Sequence, residues 1–292
     1  MPIEVRYTEV KPGETAKFDF NGKSVSDYVV GIAYWKYDYG NDRMVHQLEL
    51  SVQATKPNDT TISASVTGKL ADDSGNVLDT NASKVVVCCV AVIGPKNPAV
   101  ALENVDNIPD HGESKLIALP NPPCAITNTF LSGWQLSYSK QHQVAAVEFE
   151  TGSSIHGNEV GITAIASMHD NSGNLPSTAQ VNGGLIAATT TGEGLLVQLV
   201  PDIQKAVGEV FALRFSQPLS SAVVLLQKYK VTFHKSQDNY VRTIGGGCEK
   251  WEVDEYTVRL TEPRAFVTDD SNNVQTNDQS RVSLVIIGIP KA

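Results

Sequence analysis

Val30–Tyr39 reads VGIAYWKYDY, and two later stretches, Leu131–Tyr138 and Val224–Phe233, read LSGWQLSY and VLLQKYKVTF. In each, a large ring is followed four residues on by a second: Trp35 with Tyr39, Trp134 with Tyr138, Tyr229 with Phe233. Successive side chains of a strand point to opposite faces. Trp35, Tyr37 and Tyr39 therefore share one face, and Lys36 and Asp38 the other. The same division separates Trp134, Leu136 and Tyr138 from Gln135 and Ser137, and Tyr229, Val231 and Phe233 from Lys230 and Thr232. An apolar face opposite a polar one marks a half-buried strand, so these rings read as core and not as platforms that stack sugars or bases. Tyr34 falls with the polar set and is the one aromatic of this strand left for a surface role.

Two further anchors recur in the same order. An Asp/Ser/Asn turn begins at Asp72, Asp170 and Asp269, positions that differ by 98 and 99. A Gly-Glu pair stands at Gly13-Glu14, Gly112-Glu113 and Gly208-Glu209, at steps of 99 and 96. Three anchors in one order at one period establish a threefold internal repeat, dividing the chain into 1–95, 96–193 and 194–292.

Each repeat reads as the same series of short strands. An opening strand (Ile3–Val10, Ala99–Val105, Leu195–Val200) is followed by Ala16–Phe20, Leu116–Leu119 or Phe211–Phe215, and then by the aromatic strand. Alternating segments follow, such as Leu48, Leu50 and Val52, then Ile62, Ala64 and Val66. The closing runs Val85–Ile93 and Val282–Ile289 are continuously apolar, as expected of strands covered on both sides. In the second repeat Gly183 and Gly184 predict a weak or bulged closing strand. The fold class expected is all-β: three tandem antiparallel β-sandwich modules of similar fold, each with a small core that needs its interfaces, so that loss of one is expected to leave the others foldable but destabilised. Pro201–Val210 alone permits a short helix, and Gly245-Gly246-Gly247 reads as a hairpin insertion in the third repeat.

The 292 residues carry 23 Lys+Arg against 32 Asp+Glu, a formal net charge of −9. Phosphate neutralisation needs a basic surface, so nucleic acid is not an expected partner. No apolar run reaches the roughly 18 residues of a spanning helix. The opening MPIEVRYTEV lacks the basic and apolar regions of a secretory signal, which predicts a protein that is cytoplasmic or released without a classical signal peptide. Cys88 and Cys89 sit together in an apolar run, Cys124 and Cys248 stand alone, and none has zinc spacing. Reduced thiols are expected, with a bridge between Cys124 and Cys248 left open.

Motifs for chemistry are sparse. There is no GxSxG elbow, no phosphate loop and no dinucleotide fingerprint, so no enzyme and no cofactor is expected. Asp72, Ser74 and Asn76 have the spaced oxygens that open a calcium loop. Val77 replaces the required Gly and Ser83 the required Glu, so the turns read as backbone-capping turns, no metal site is assigned, and a weak divalent site completed by carboxylates from elsewhere is left open. Polar residues gather instead in the loop after each aromatic strand. The candidate binding residues are Tyr34, Asn41, Asp42, Arg43, His46, Gln141, His142, His234, Asp238 and Asn239, whose amide, carboxylate and imidazole groups suit a hydroxyl-rich ligand.

Three modules of this length are similar in plan to small sugar-binding β-sandwich lectins; no motif carries that likeness, and no residue is assigned from it. The function expected is non-catalytic recognition, with multivalent modules presenting loops to a glycan or a protein surface on a cell, as a monomer or a homo-oligomer. The alternative is a structural or assembly subunit of a particle, a phage-like tail or a multi-component toxin.

Overall fold

The computed structural model describes residues 3–120, 125–189, 194–234 and 239–291. Their regular structure is entirely strand. The first repeat supplies β1 (Ile3–Val10), β2 (Thr15–Asp19), β3 (Val25–Arg43), β4 (Val45–Asn58), β5 (Thr61–Ala71) and β6 (Lys84–Ile93). The second supplies β7 (Val100–Pro109), β8 (Ile117–Ala118), β9 (Ile126–His142), β10 (Val144–His156), β11 (Glu159–Asp170) and β12 (Thr178–Ala188). The third supplies β13 (Leu196–Ile203), β14 (Val210–Arg214), β15 (Leu219–Thr232), β16 (Val241–Gly247) and β17 (Lys250–Asp254). It ends with β18 (Thr257–Thr261), β19 (Arg264–Thr268) and β20 (Arg281–Pro290). The pairings are antiparallel throughout, as the alternation and the short turns require.

The first two repeats split their strands between two sheets each, and the third among three. In one sheet β7–β12–β9 of the second repeat continue into β4–β5–β2 of the first. In the next, β13–β20–β15 of the third repeat continue into β10–β11–β8 of the second. In the last, β1–β6–β3 of the first repeat continue into β16–β19 of the third, which closes a pseudo-threefold ring. Within the second repeat the two halves face each other, β10 on β9 and β11 on β12, so its two layers belong to different sheets. Strand pairing therefore crosses the 95/96 and 193/194 boundaries at every seam.

Sheet β14–β18–β17 completes the third series. The amide of Phe20 donates to Thr60 O (3.0 Å), that of Leu119 to Asn158 O (2.8 Å) and that of Phe215 to Tyr256 O (2.7 Å), so the three hairpin tips correspond. β16 with β17 thus equals β4, and β18 with β19 equals β5, each broken by a kink. The kink falls at Gly247 (φ 108°) and Glu262 (φ 50°), just before Pro263. The glycine run is accordingly a seam strand and not an insertion. A Cβ at Gly245 or Gly247 would strike the carbonyl oxygen of Trp35 or Ala33 across the seam, so side chains are excluded by backbone approach. Pro201–Val210 forms no helix: Pro201 to Ile203 end β13, a turn follows, and Val210 opens β14. Edge pairing of Ile203 with Val282 wins over local helix preference. The irregularity expected at Gly183 is present as a register shift, with the extra residues on the partner strands β9 and β7.

The ring anchors meet at the centre. Trp35 lies 4.9 Å from Trp134 and 5.1 Å from Tyr229, edge to face, and Phe149 stacks on Trp134 at 4.3 Å. All four are buried, in one continuous apolar cluster that runs through the three repeats. Such ring pairs contribute about 0.5–1.5 kcal/mol each beyond the area they bury.

Candidate functional site

The repeats share one bulge, and it aims a residue at each seam. Pairing with the closing strand skips Ala33 in β3, Ser132 in β9 and Gln227 in β15. The next residue, just before the anchor ring, then lies in the seam beside the neighbouring repeat: Tyr34 opposite Gly247, Gly133 opposite Ser51, Lys228 opposite Glu150. These three positions are equivalent and chemically unlike.

At the β10–β15 seam the Lys228 ammonium lies 3.0 Å from Glu150, 3.6 Å from Glu148 and 3.8 Å from Asp202. Partial burial pulls its pKa down, but the hydrogen bond to Glu150 and the three carboxylates together raise it above the usual lysine value. Lys230 adds a 2.9 Å bond to Glu148. At the β16–β3 seam Tyr34 stacks on Phe266 (6.4 Å between centroids) beneath the Lys84 ammonium at 5.8 Å. Burial pushes its phenol well above the usual tyrosine value. Beside it remains a hollow of about 110 Å³ edged by Glu249, Lys250, Thr261, Glu262 and Arg264.

At the β4–β9 seam the central residue is glycine, and a furrow of about 380 Å³ opens there. Its bottom follows the cross-strand row Thr67, Ser51, Gly133, Asn182, all short side chains. One wall is the next row, Lys69, Glu49, Gln135, Gln180, all long. A Cβ on Gly133 would strike Leu50 O, so the close approach of β4 excludes any side chain there. The amides at one end are fixed: Gln180 Nε2 donates to Gln135 Oε1 (2.7 Å) and Asn107 Oδ1 (3.0 Å), and Asn182 Oδ1 accepts from the Asn107 amide (2.8 Å). Beneath the furrow Tyr37 reaches through the space left by Gly68 and donates to Glu49 O at 2.9 Å. The arrangement offers fixed amides and hydroxyls, two carboxylates (Glu49 and Asp106) and one ammonium (Lys69), a lining suited to binding hydroxyl groups.

The nine described residues among the ten expected to bind lie elsewhere. Tyr34, expected at the surface, is instead buried in its own seam, where the bulge turns it onto Phe266 of the neighbouring repeat. Gln141 stands six residues beyond Gln135 on β9, roughly 20 Å at ~3.3 Å per residue. His46 Nδ1 and Asp73 Oδ1 are 2.5 Å apart, while Asp73 and Gln141 exchange two bonds, of 3.0 and 2.8 Å. His142 lies 2.9 Å from Asp170 and its ring rests on Tyr138 at 4.6 Å. These contacts tie β4, β9 and two turns together. Arg43 stands opposite Val241 in the β3–β16 ladder, and Asp42 is half-buried. Asn41 and His234 are exposed and Asn239 is buried. Asp238 lies outside the described residues, as does Cys124. Cys88, Cys89 and Cys248 are free buried thiols, and burial pushes Cys248 up to about 12.

The Asp/Ser/Asn turns are held by their own aspartates. Asp170 Oδ1 accepts from the amides of Ser172 (2.9 Å) and Asn174 (2.8 Å), and Oδ2 from Asn174 Nδ2 (2.7 Å). Asp72 repeats all three bonds, and Asp269 those from Asn273. Among the described residues no helix is long and apolar enough to cross a membrane. No protein-family model matches this chain, and no curated protein matches it.

The furrow residues carry no motif of their own. The signal for them was in the alignment of repeats: Gly133 precedes Trp134 where Tyr34 precedes Trp35 and Lys228 precedes Tyr229.

Proposed function

We propose that this protein is a non-catalytic recognition protein that binds a short glycan in the furrow at the β4–β9 seam. The observation that supports this is the inequality of three equivalent seams. Two are filled by a side chain of the chain itself, and the third is left open by Gly133 and lined by groups that exchange hydrogen bonds with hydroxyls.

A glycan array read with the wild type and with Ser51→Tyr, together with sedimentation analysis, tests the reading. Wild type is expected to bind a restricted set of glycans, and the ring at position 51 to abolish binding while leaving the melting temperature within a few degrees. Absence of any glycan binding, with a large defined oligomer in sedimentation, would turn the assignment to an assembly subunit.

A further inference from the structure

The β10–β15 seam shows what chemistry its β4–β9 counterpart is built to accept. Glu148 and Glu49 hold the same position: Glu148 pairs across the seam with Lys230, Glu49 with Gln135, and these partners follow Tyr229 and Trp134 respectively. At the first seam the chain brings two ammonium groups to Glu148, at 3.6 Å from Lys228 and 2.9 Å from Lys230. At the second, those lysines are replaced by Gly133 and Gln135, and among the described residues no ion pair reaches the half-buried Glu49 carboxylate. Lys69 is its cross-strand neighbour without bonding it, and Asp106 adds a second carboxylate to the furrow.

Resting on the glycan reading above, we propose that the furrow binds a saccharide bearing a free primary amine, with its ammonium on Glu49 where Lys228 and Lys230 meet Glu148. The sugar hydroxyls meet the amides of Gln135, Gln180 and Asn182. Neutral and acetylated sugars lack the ammonium, and anionic ones are repelled by Glu49 and Asp106.

Calorimetric titration of the full chain with three trisaccharides tests this: the fully deacetylated β-1,4-glucosamine trimer, its N-acetylated form, and cellotriose. The amine form is expected to bind at least tenfold more tightly than the other two. Glu49→Gln is expected to remove that preference, bringing the amine trimer down to the affinity of cellotriose. Gln135→Lys supplies a tethered ammonium and is expected to abolish amine binding. Lys69→Gln is expected to strengthen it a few-fold. Equal binding of amine and neutral trimers, or amine binding untouched by Glu49→Gln, overturns the amine assignment and leaves the glycan reading standing. Weaker binding in Lys69→Gln also overturns it. Failure of all three sugars, with a tri-lysine peptide bound instead, overturns both.

Discussion

At the pseudo-threefold centre, single residues compensate for one another across repeats. Gly31, Phe130 and Leu225 stand four residues before the three anchor rings, and a Cβ on Gly31 would lie 2.5 Å from Phe130 and 2.7 Å from Leu225. Phe130 also takes the space a side chain at Gly184 would need. The repeats thus share one volume, filled by a large ring in one and left by glycines elsewhere. Phe130→Ala is expected to cost about 3–5 kcal/mol by cavity formation, and Gly31→Ala about 1–3 kcal/mol by overpacking. Because the two sites occupy the same volume, the double variant should cost less than the sum. Urea unfolding of the three variants checks this, and strict additivity would contradict a shared volume.

The Asp/Ser/Asn turn shows how an element gains stability from its first residue. Its third residue after the aspartate takes positive φ in every copy: Gly75 at 86°, Gly173 at 78°, Asn272 at 61°. Glycine, or asparagine in its absence, tolerates that conformation, which explains the composition legible in the sequence. Burial raises the Asp170 carboxyl, but its bonds from Asn174 and Ser172 and the charge of His142 outweigh this and lower its pKa. A pKa lowered on folding stabilises the native state above the unfolded value, about 3.9, and that contribution is lost as pH falls through the folded value. Asp170→Asn is expected to cost roughly 1–3 kcal/mol near neutral pH, with the difference from wild type shrinking below about pH 4. Denaturant titrations at pH 7 and pH 3 measure it; a deficit of equal size at both would mean that the charge plays no part. The Gly-Glu anchor has a comparable local origin. Glu14 accepts from the Lys11 amide at 2.9 Å, and Glu209 from the Ala206 amide at 3.1 Å. In the second repeat Glu113 turns instead to His156 at 2.7 Å.

At the scale of the whole molecule, the seams change what the repeat means. A row of self-sufficient modules would tolerate loss of one member. Here removal of residues 96–193 strips β9 from β4 and β10 from β15, leaving two seam edges with unpaired backbone. The truncated chain is expected to lose cooperative melting and to aggregate. Circular dichroism with size-exclusion chromatography decides, and a monomer with a sharp melt would contradict the closed ring. The candidate site has the same origin, since the furrow draws its lining from β4, β5, β7, β9 and β12 of two repeats and exists in neither alone.

By itself, the amino-acid sequence determined the strands, their buried faces and the threefold repeat, because alternation, turn residues and ring spacing act within a few residues of one another. Trp35 and Trp134 were legible as core from period two alone. The tertiary structure decided which half-sheet pairs with which, and therefore where Gly133, Ser51 and Glu49 meet. Seam pairing joins residues about 80 positions apart at two seams and about 200 at the third, through backbone hydrogen bonds that any residue but proline can donate, so no local pattern records it.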